Sequence, residues 1–169
     1  MALLLTATMQ LFCLATKAAE QFVTFNPEAN CDRLCTDGIS YSENDFEAVK
    51  IAIESLKKDI RLSLSDSYTG SDGLTLLIGT LGKNADIDRL AKQGLLPDLK
   101  GKREKFIITA AGRQLVIAGS DRRGTVYGIY ELSRQLGVSP WYWWMDVPVE
   151  QHTAAYIRPG VYSDGEPAV

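Results

Sequence analysis

Apolar residues recur along this chain in two periods, and the change from one to the other marks out its elements. Phe46, Val49, Ile53, Leu56 and Ile60 fall on one helical stripe, preceded by Asn44 as an N-cap with Glu47 three residues on. That stripe requires a sheet to pack on. Leu74 to Ile78 is a short continuous apolar run, as expected of a strand buried on both faces. Phe106 to Thr109 and Leu115 to Ala118, joined across Ala110 to Arg113 with Gly112 available for a positive φ, read as a hairpin. Gln21 to Phe25 alternates as a first strand, Asn26 to Cys35 reads as a loop, and Tyr156 with Ile157 suggests one more strand. Ser63 to Gly73 is rich in Ser, Asp and Gly and reads as a surface connection. The pattern predicts a single α/β domain, a mixed sheet of about four or five strands with about two or three helices packed on it.

Gly79, Gly82 and Lys83 invite comparison with a phosphate-binding loop, but the spacing is wrong. A Walker loop places four residues between its glycines and Ser or Thr after the lysine, whereas two intervene here and Asn84 follows. The stretch is a glycine turn feeding a helix from about Asp86 to Gln93.

The richest stretch is VIAGSDRRGTVYGIYELSRQLGVSPWYWWMDVP, Val116 to Pro148. A strand breaks at Gly119, Ser120 or Asp121 caps a helix, and the helix starts near Arg122. Val126, Ile129, Tyr130 and Leu136 keep to one side, leaving Glu131, Arg134 and Gln135 to the solvent. Gly128 lies mid-helix, where it costs about 1 kcal/mol against alanine, so close helix-on-sheet approach is its best explanation. Gly137 and Pro140 end the helix. Arg122 and Arg123 oppose the macrodipole in the first turn, at about 0.3–1 kcal/mol each when exposed. Either an ion pair with Asp121, Glu131 or a carboxylate elsewhere in the fold offsets this, or a neighbouring domain or acidic ligand does. Trp141, Tyr142, Trp143 and Trp144 are consecutive, so no single strand or helix buries all four. Part of that aromatic surface is left to meet a ligand or another domain.

This run closely resembles the signature stretch near the N-terminus of glycoside hydrolase family 115, the xylan alpha-1,2-glucuronidases. LLIGTLGKNADIDRLAKQGLLPDLKGK, from Leu76 to Lys102, resembles the family's strand, glycine turn and helix, and SENDFEAVKIAIESLKKDI resembles its first helix. The resemblance covers roughly Tyr41 to Val169 and is far more specific than any lone motif. It departs from the family where Met145 replaces a common alanine. The resemblance implies an N-terminal accessory α/β domain preceding a (β/α)8 barrel, which alone needs about 250 residues. A chain of 169 residues is long enough for one domain and lacks that barrel. The expected division is a signal peptide over 1–18, the α/β domain over 19–158, and over 159–169 the start of a connection to the missing catalytic barrel.

The segment MALLLTATMQLFCLATKAA, Met1 to Ala19, is too short and too interrupted to span a bilayer and closes on small residues, as a secretory signal does. The expected location is therefore extracellular or periplasmic. Cys13 leaves with the signal, and Cys31 and Cys35 remain as either a disulfide, if their segment turns, or two free half-buried thiols. One histidine, His152, and no second cysteine pair leave no four-ligand metal site, and no cofactor is called for. A net charge of −3 argues against a nucleic-acid partner. Lys100 to Lys105, interrupted by Glu104, reads as a solvated loop.

Hydrolysis of a glycosidic bond by inversion needs two carboxyl groups about 6.5–9.5 Å apart. No such pair is evident: Asp121 is taken by a helix start, Glu131 is expected to face outward, and Asp146 lies in a connecting run. No catalytic residue is therefore assigned. Asp121, Arg122, Arg123, Trp141, Trp143 and Trp144 are the candidates for a substrate-pocket wall or barrel interface. The resemblance implies the accessory domain of a secreted enzyme that removes glucuronic acid or its 4-O-methyl ether from glucuronoxylan, with the missing barrel as partner. The alternative is a stand-alone carbohydrate-binding or protein-interaction module.

Overall fold

The computed structural model describes residues 21–65, 72–145 and 147–165, with the side chains of Trp143 and Trp144 outside that description. The expected signal peptide over 1–18 and Asp146 also lie outside it. The element order is β1 (Val23–Thr24), β2 (Asp32–Ser40), α1 (Glu47–Ser63), β3 (Leu74–Thr80), α2 (Ala85–Lys92), β4 (Phe106–Ala111), β5 (Gln114–Gly119), α3 (Arg122–Gln135), α4 (Tyr142–Met145), β6 (Tyr156–Ile157) and β7 (Val161–Asp164). One mixed sheet of seven strands runs in the order β1-β6-β2-β3-β5-β4-β7. β2, β3 and β5 are parallel, and the remaining pairings are antiparallel.

The alternation of side chains along a strand decides the layering. Leu74, Leu76, Ile78, Leu115, Ile117, Phe106 and Ile108 face one side, in a core completed by Val49, Ile53, Leu56 and Ile60 of α1 and Ile129 and Leu132 of α3. Leu77, Val116, Ala118 and Ile107 face the other, against Ile87 of α2 and Leu96 and Leu99 beyond it. Central strands covered on both faces read as unbroken apolar runs, which is why β3 and β5 were visible in the sequence.

Two strands were not. Cys31 to Cys35 was expected to finish a loop, yet Asp32–Ser40 is a nine-residue strand. Its sequence DRLCTDGIS carries little apolar alternation, and its register against β3 shifts between Leu34 and Ile39, an irregularity that disguises a strand. The run after Pro159 was expected to leave the domain, but Val161–Asp164 pairs with β4 as the sheet's edge. An edge strand buries little and so shows no hydrophobic signature.

The helices begin and end for local reasons. α1 starts at Glu47 after Phe46, and Asn44 does not cap it; the Asp45 carboxylate accepts the Phe46 N–H instead. Asn84 caps α2 by accepting from the N–H groups of Asp86 and Ile87, and the Gly82 N–H donates to Asp88, so a carboxylate of the chain itself fills the turn that resembled a phosphate loop. α3 is capped by Asp121. Its inner face differs from expectation: Tyr130 is exposed, while Leu132, Ser133 and Gln135 are buried. The Gln135 side-chain oxygen accepts from the N–H groups of Phe22 and Val23, a polar partner for β1 that hydrophobic periodicity cannot reveal. Ser63, expected to open a surface connection, is instead the buried last residue of α1 and donates to the Leu136 carbonyl; residues 66–71 lie outside the described residues.

Gly128 does mark close helix-on-sheet contact. A Cβ there would stand 2.8 Å from Ile117 Cγ2 and 3.2 Å from Phe106 Cβ. Replacing it with alanine in an open helix would gain about 1 kcal/mol. Here Gly128→Ala is expected to destabilise by about 1–3 kcal/mol through overpacking, measured by urea unfolding; a gain would show that α3 stands off the sheet.

Candidate functional site

The parallel strands β2, β3 and β5 all end at one edge of the sheet, where α/β folds place their ligand sites. Thr80 ends β3 there and Gly119, its register partner, ends β5. Asp45, just ahead of α1 and 6% exposed, closes this edge. Its Oδ2 accepts the Thr80 N–H at 2.8 Å and its Oδ1 accepts the Thr80 hydroxyl at 2.8 Å. The Thr80 hydroxyl lies 2.7 Å from the Thr125 hydroxyl in the first turn of α3. A Cβ on Gly119 would collide with Thr125, so only glycine lets α3 start this close to the sheet. The carboxylate is thus spent on structure.

The outer surface of α3 is where polar and aromatic groups collect. Asp121 accepts from the N–H groups of Gly124 and Glu104, at 2.8 and 2.9 Å. Burial pushes its carboxyl up, but those donors, with the N–H and charge of Arg123, outweigh burial and hold it below the usual range. Arg123 pairs with Glu104 at 2.8 Å and donates to the Tyr127 hydroxyl at 2.7 Å. For Arg123 the macrodipole conflict is offset by an ion pair to a carboxylate elsewhere in the fold, one of the two expected alternatives. Glu104 is only 7% exposed and adopts φ 55°, so the supposed solvated loop is docked at the mouth of α3. Ser120 reinforces this by accepting the Lys105 N–H and donating its own N–H to the Lys105 carbonyl. For Arg122, exposed beside it, no ion pair is found among the described residues.

Further along α3, Glu131 does not face outward as expected. Its carboxylate accepts two bonds from Arg134, at 2.8 and 2.7 Å, and one from Gln135 at 2.8 Å. Burial raises its carboxyl, and these partners more than compensate, leaving it below the usual range. A groove of about 460 Å³ runs along this face between Tyr127, Tyr130, Glu131 and Arg134 and the strand side at Glu104 and Phe106. Tyr130 and Pro140 separate it from a second pocket of about 400 Å³, where α1 meets the end of α3. Asp59 lines that second pocket, and burial pushes its carboxyl up, against the opposing effects of Ser133 and Lys58. No second carboxylate lines its pocket.

The expected aromatic surface is partly visible. Trp141 is 60% exposed and Met145 68%, while Tyr142 is half-buried. For Trp143 and Trp144 only the backbone turn of α4 is described. The structure therefore brings Asp121 and Arg123 together with Glu104 at the start of α3 and sets Trp141 beyond its far end. No disulfide joins Cys31 and Cys35: Cys31 precedes β2 and Cys35 lies within it, so an extended backbone carries them about 13 Å apart, past disulfide reach. Burial raises both thiols above their ordinary range. Among the described residues no cluster suits a metal ion; His152 stacks on Phe25 at 3.5 Å. No helix of the described residues is long and apolar enough to cross a membrane.

No protein-family model matches the chain, and no curated protein matches it significantly. Among solved structures, BtGH115A, a family GH115 4-O-methyl-alpha-glucuronidase described as specific for decorated arabinogalactans, aligns with a TM-score of 0.62 at 30% identity over 85% of this chain. The chain spans 18% of that enzyme's length. CpGH84D aligns at 15% identity and TM-score 0.49 over 82% of this chain and 22% of its own, and the chitobiase FjGH20 from Flavobacterium johnsoniae at 12% and 0.46 over 87% and 20%. The fold is that of an α/β domain found within a glycoside hydrolase. More particularly, the chain is a GH115-like domain.

The two shifted aspartates act on stability in opposite directions. Asp121 sits below its unfolded value, so its contribution is complete above the unfolded carboxylate range near about 3.9 and drains as pH falls through the folded value. Asp59 sits above its unfolded value, so its contribution is complete below that range and is lost as pH rises through the folded value. Urea unfolding should show Asp121→Ala less stable than the parent at pH 7 by about 0.5–2 kcal/mol, with the gap narrowing toward pH 3. Asp59→Asn should be the more stable protein at pH 7, with its advantage fading toward pH 4. Reversal of either trend would refute the assigned environments.

Proposed function

We propose that this chain is the N-terminal, non-catalytic domain of a secreted glycoside hydrolase that resembles the xylan alpha-1,2-glucuronidases. Its partner is a (β/α)8 barrel, which holds the acid and base and, through them, the glucuronoxylan-type polysaccharide. The observation that carries this reading is the alignment with BtGH115A at 30% identity over 85% of the chain. The surface chemistry agrees. Tyr127, Tyr130, Trp141 and Met145 are all exposed large hydrophobic residues on α3 or just beyond it, the kind of surface a neighbouring domain covers. Two of the carboxylates along that face are engaged in ion pairs, Glu104 with Arg123 and Glu131 with Arg134, and Glu131 also accepts from Gln135. Asp59 has no second carboxyl opposite it with which to flank a glycosidic bond.

A stand-alone module for carbohydrate or protein binding is the second reading, favoured by the exposure of Trp141 and the pocket beside it. Two measurements separate them. The purified chain is expected to release no 4-O-methylglucuronic acid from glucuronoxylan, whereas the same domain joined to its barrel does. All three tryptophans lie between Trp141 and Trp144, so bulk fluorescence reports on that run alone. Its emission should be quenched by iodide in the isolated chain and protected when the barrel is joined. Hydrolysis by the chain alone, or emission already protected without a barrel, would overturn the proposal.

A further inference from the structure

Three Asp–Gly steps occur in the chain, at Asp37, Asp72 and Asp164. Such a step is chemically labile, because the amide nitrogen after the aspartate can close on the side-chain carboxyl and glycine has no Cβ to obstruct the approach. Local geometry decides whether it does. A fold that holds the two groups apart suppresses the reaction, and one that holds them together replaces a chance encounter with a standing one.

At Asp164 they are held together. The Gly165 N–H donates to Asp164 Oδ1 at 2.7 Å, which sets the nitrogen against the carboxyl of the preceding residue. Asp164 is the last residue of β7, and its pairing with Phe106 ends the β4–β7 register, so the Gly165 nitrogen lies beyond the ladder. Gly165 has φ 144°, and a Cβ on it would stand 2.3 Å from Lys105 Cα. Packing therefore keeps this position a glycine and leaves its nitrogen unshielded. Both residues are exposed, which admits the water that the reaction releases and consumes.

Two other positions each lack one of these features. Asp37–Gly38 is also exposed, but it lies inside β2, and among the described residues no hydrogen bond joins the Asp37 carboxyl to the next nitrogen. Asp45 makes the same contact with the Phe46 N–H, at 2.8 Å, yet it is 6% exposed, both its oxygens are held by Thr80, and a bulky residue follows it. Asp72–Gly73 adjoins residues outside those described.

We propose that Asp164–Gly165 is a site of spontaneous isomerisation to isoaspartate. The step needs no co-reactant but water. With the carboxyl protonated, the Gly165 nitrogen attacks Asp164 Cγ; an N–C bond forms, a C–O bond of the carboxyl breaks, and water leaves with the amide hydrogen, closing a succinimide. A water molecule then opens the ring. Opening at the side-chain carbonyl restores aspartate, whereas opening at the main-chain carbonyl routes the backbone through the side chain, adding a methylene and freeing an α-carboxylate. Asp164 and Gly165 line the groove beside Tyr127 and Tyr130, so the altered backbone lies at that surface. The site stands on the contact within this chain and does not depend on a barrel following the domain.

The test is to incubate the purified chain warm at neutral pH in heavy-oxygen water, digest it, and sequence the separated peptides by electron-transfer mass spectrometry, which tells isoaspartate from aspartate. Isoaspartate labelled with heavy oxygen is expected at Asp164, accumulating about threefold or more faster than at Asp37, with none at Asp45. In concentrated urea, where the contact is lost, the rates at Asp164 and Asp37 should converge. Equal rates at these two positions in the folded chain, a lead for Asp164 that survives in urea, or isoaspartate at Asp45 would each overturn the proposal.

Discussion

The fold depends on how the Asp45 carboxylate is paired. It is buried where three elements converge, and it accepts from Phe46 at the start of α1 and twice from Thr80 at the end of β3. The Thr80 hydroxyl carries the link to Thr125 in α3. Charge-assisted bonds of this kind are short and roughly twice as strong as neutral ones, and a buried carboxylate without them would be costly. Both long helices on one face of the sheet are therefore registered to the same strand end. Hydrophobic burial supplies the bulk of the stability, but it does not choose among rotations of a helix on a sheet; directional bonds do.

Two consequences follow for the surface. With α3 pinned at Thr125 and lowered onto Ile117 and Phe106 at Gly128, its inner face is fixed. Tyr127, Tyr130, Glu131 and Arg134 are then presented outward along the groove. With α1 pinned at the same edge, Asp59 meets Ser133 across a gap that neither helix fills. The exposed aromatic face and the α1–α3 pocket are both products of the same anchoring, and Tyr130 separates them.

What the sequence revealed follows from what hydrophobic periodicity can report. The α/β class, the stripe of α1, the β4–β5 hairpin, the Asp121 cap and the meaning of Gly128 were legible because each rests on local spacing. β2 and β7 were hidden, one by its irregular register and polar composition, the other by lying at an edge. Polar residues with long-range partners were misread or missed for a common reason. Gln135 reaches Val23 of β1, Glu104 reaches Arg123, and Asp45 reaches Thr80, contacts separated by 112, 19 and 35 positions that no window along the chain contains. The GH115-like identity was legible from the run around α3, and the alignment with BtGH115A supports it at the level of the domain.

The anchoring is tested most directly by a double-mutant cycle between Thr80→Val and Thr125→Val, followed by urea unfolding. Both side chains are almost wholly buried, and valine preserves their shape while removing the hydroxyl. If the hydroxyls act as one chain ending on Asp45, the substitutions should be non-additive, with a coupling of about 0.5–3 kcal/mol, and Thr80→Val the more damaging because it strips a donor from the carboxylate. Additivity within about 0.3 kcal/mol would contradict the account, because the Thr80 hydroxyl would then not carry the link from Asp45 to α3.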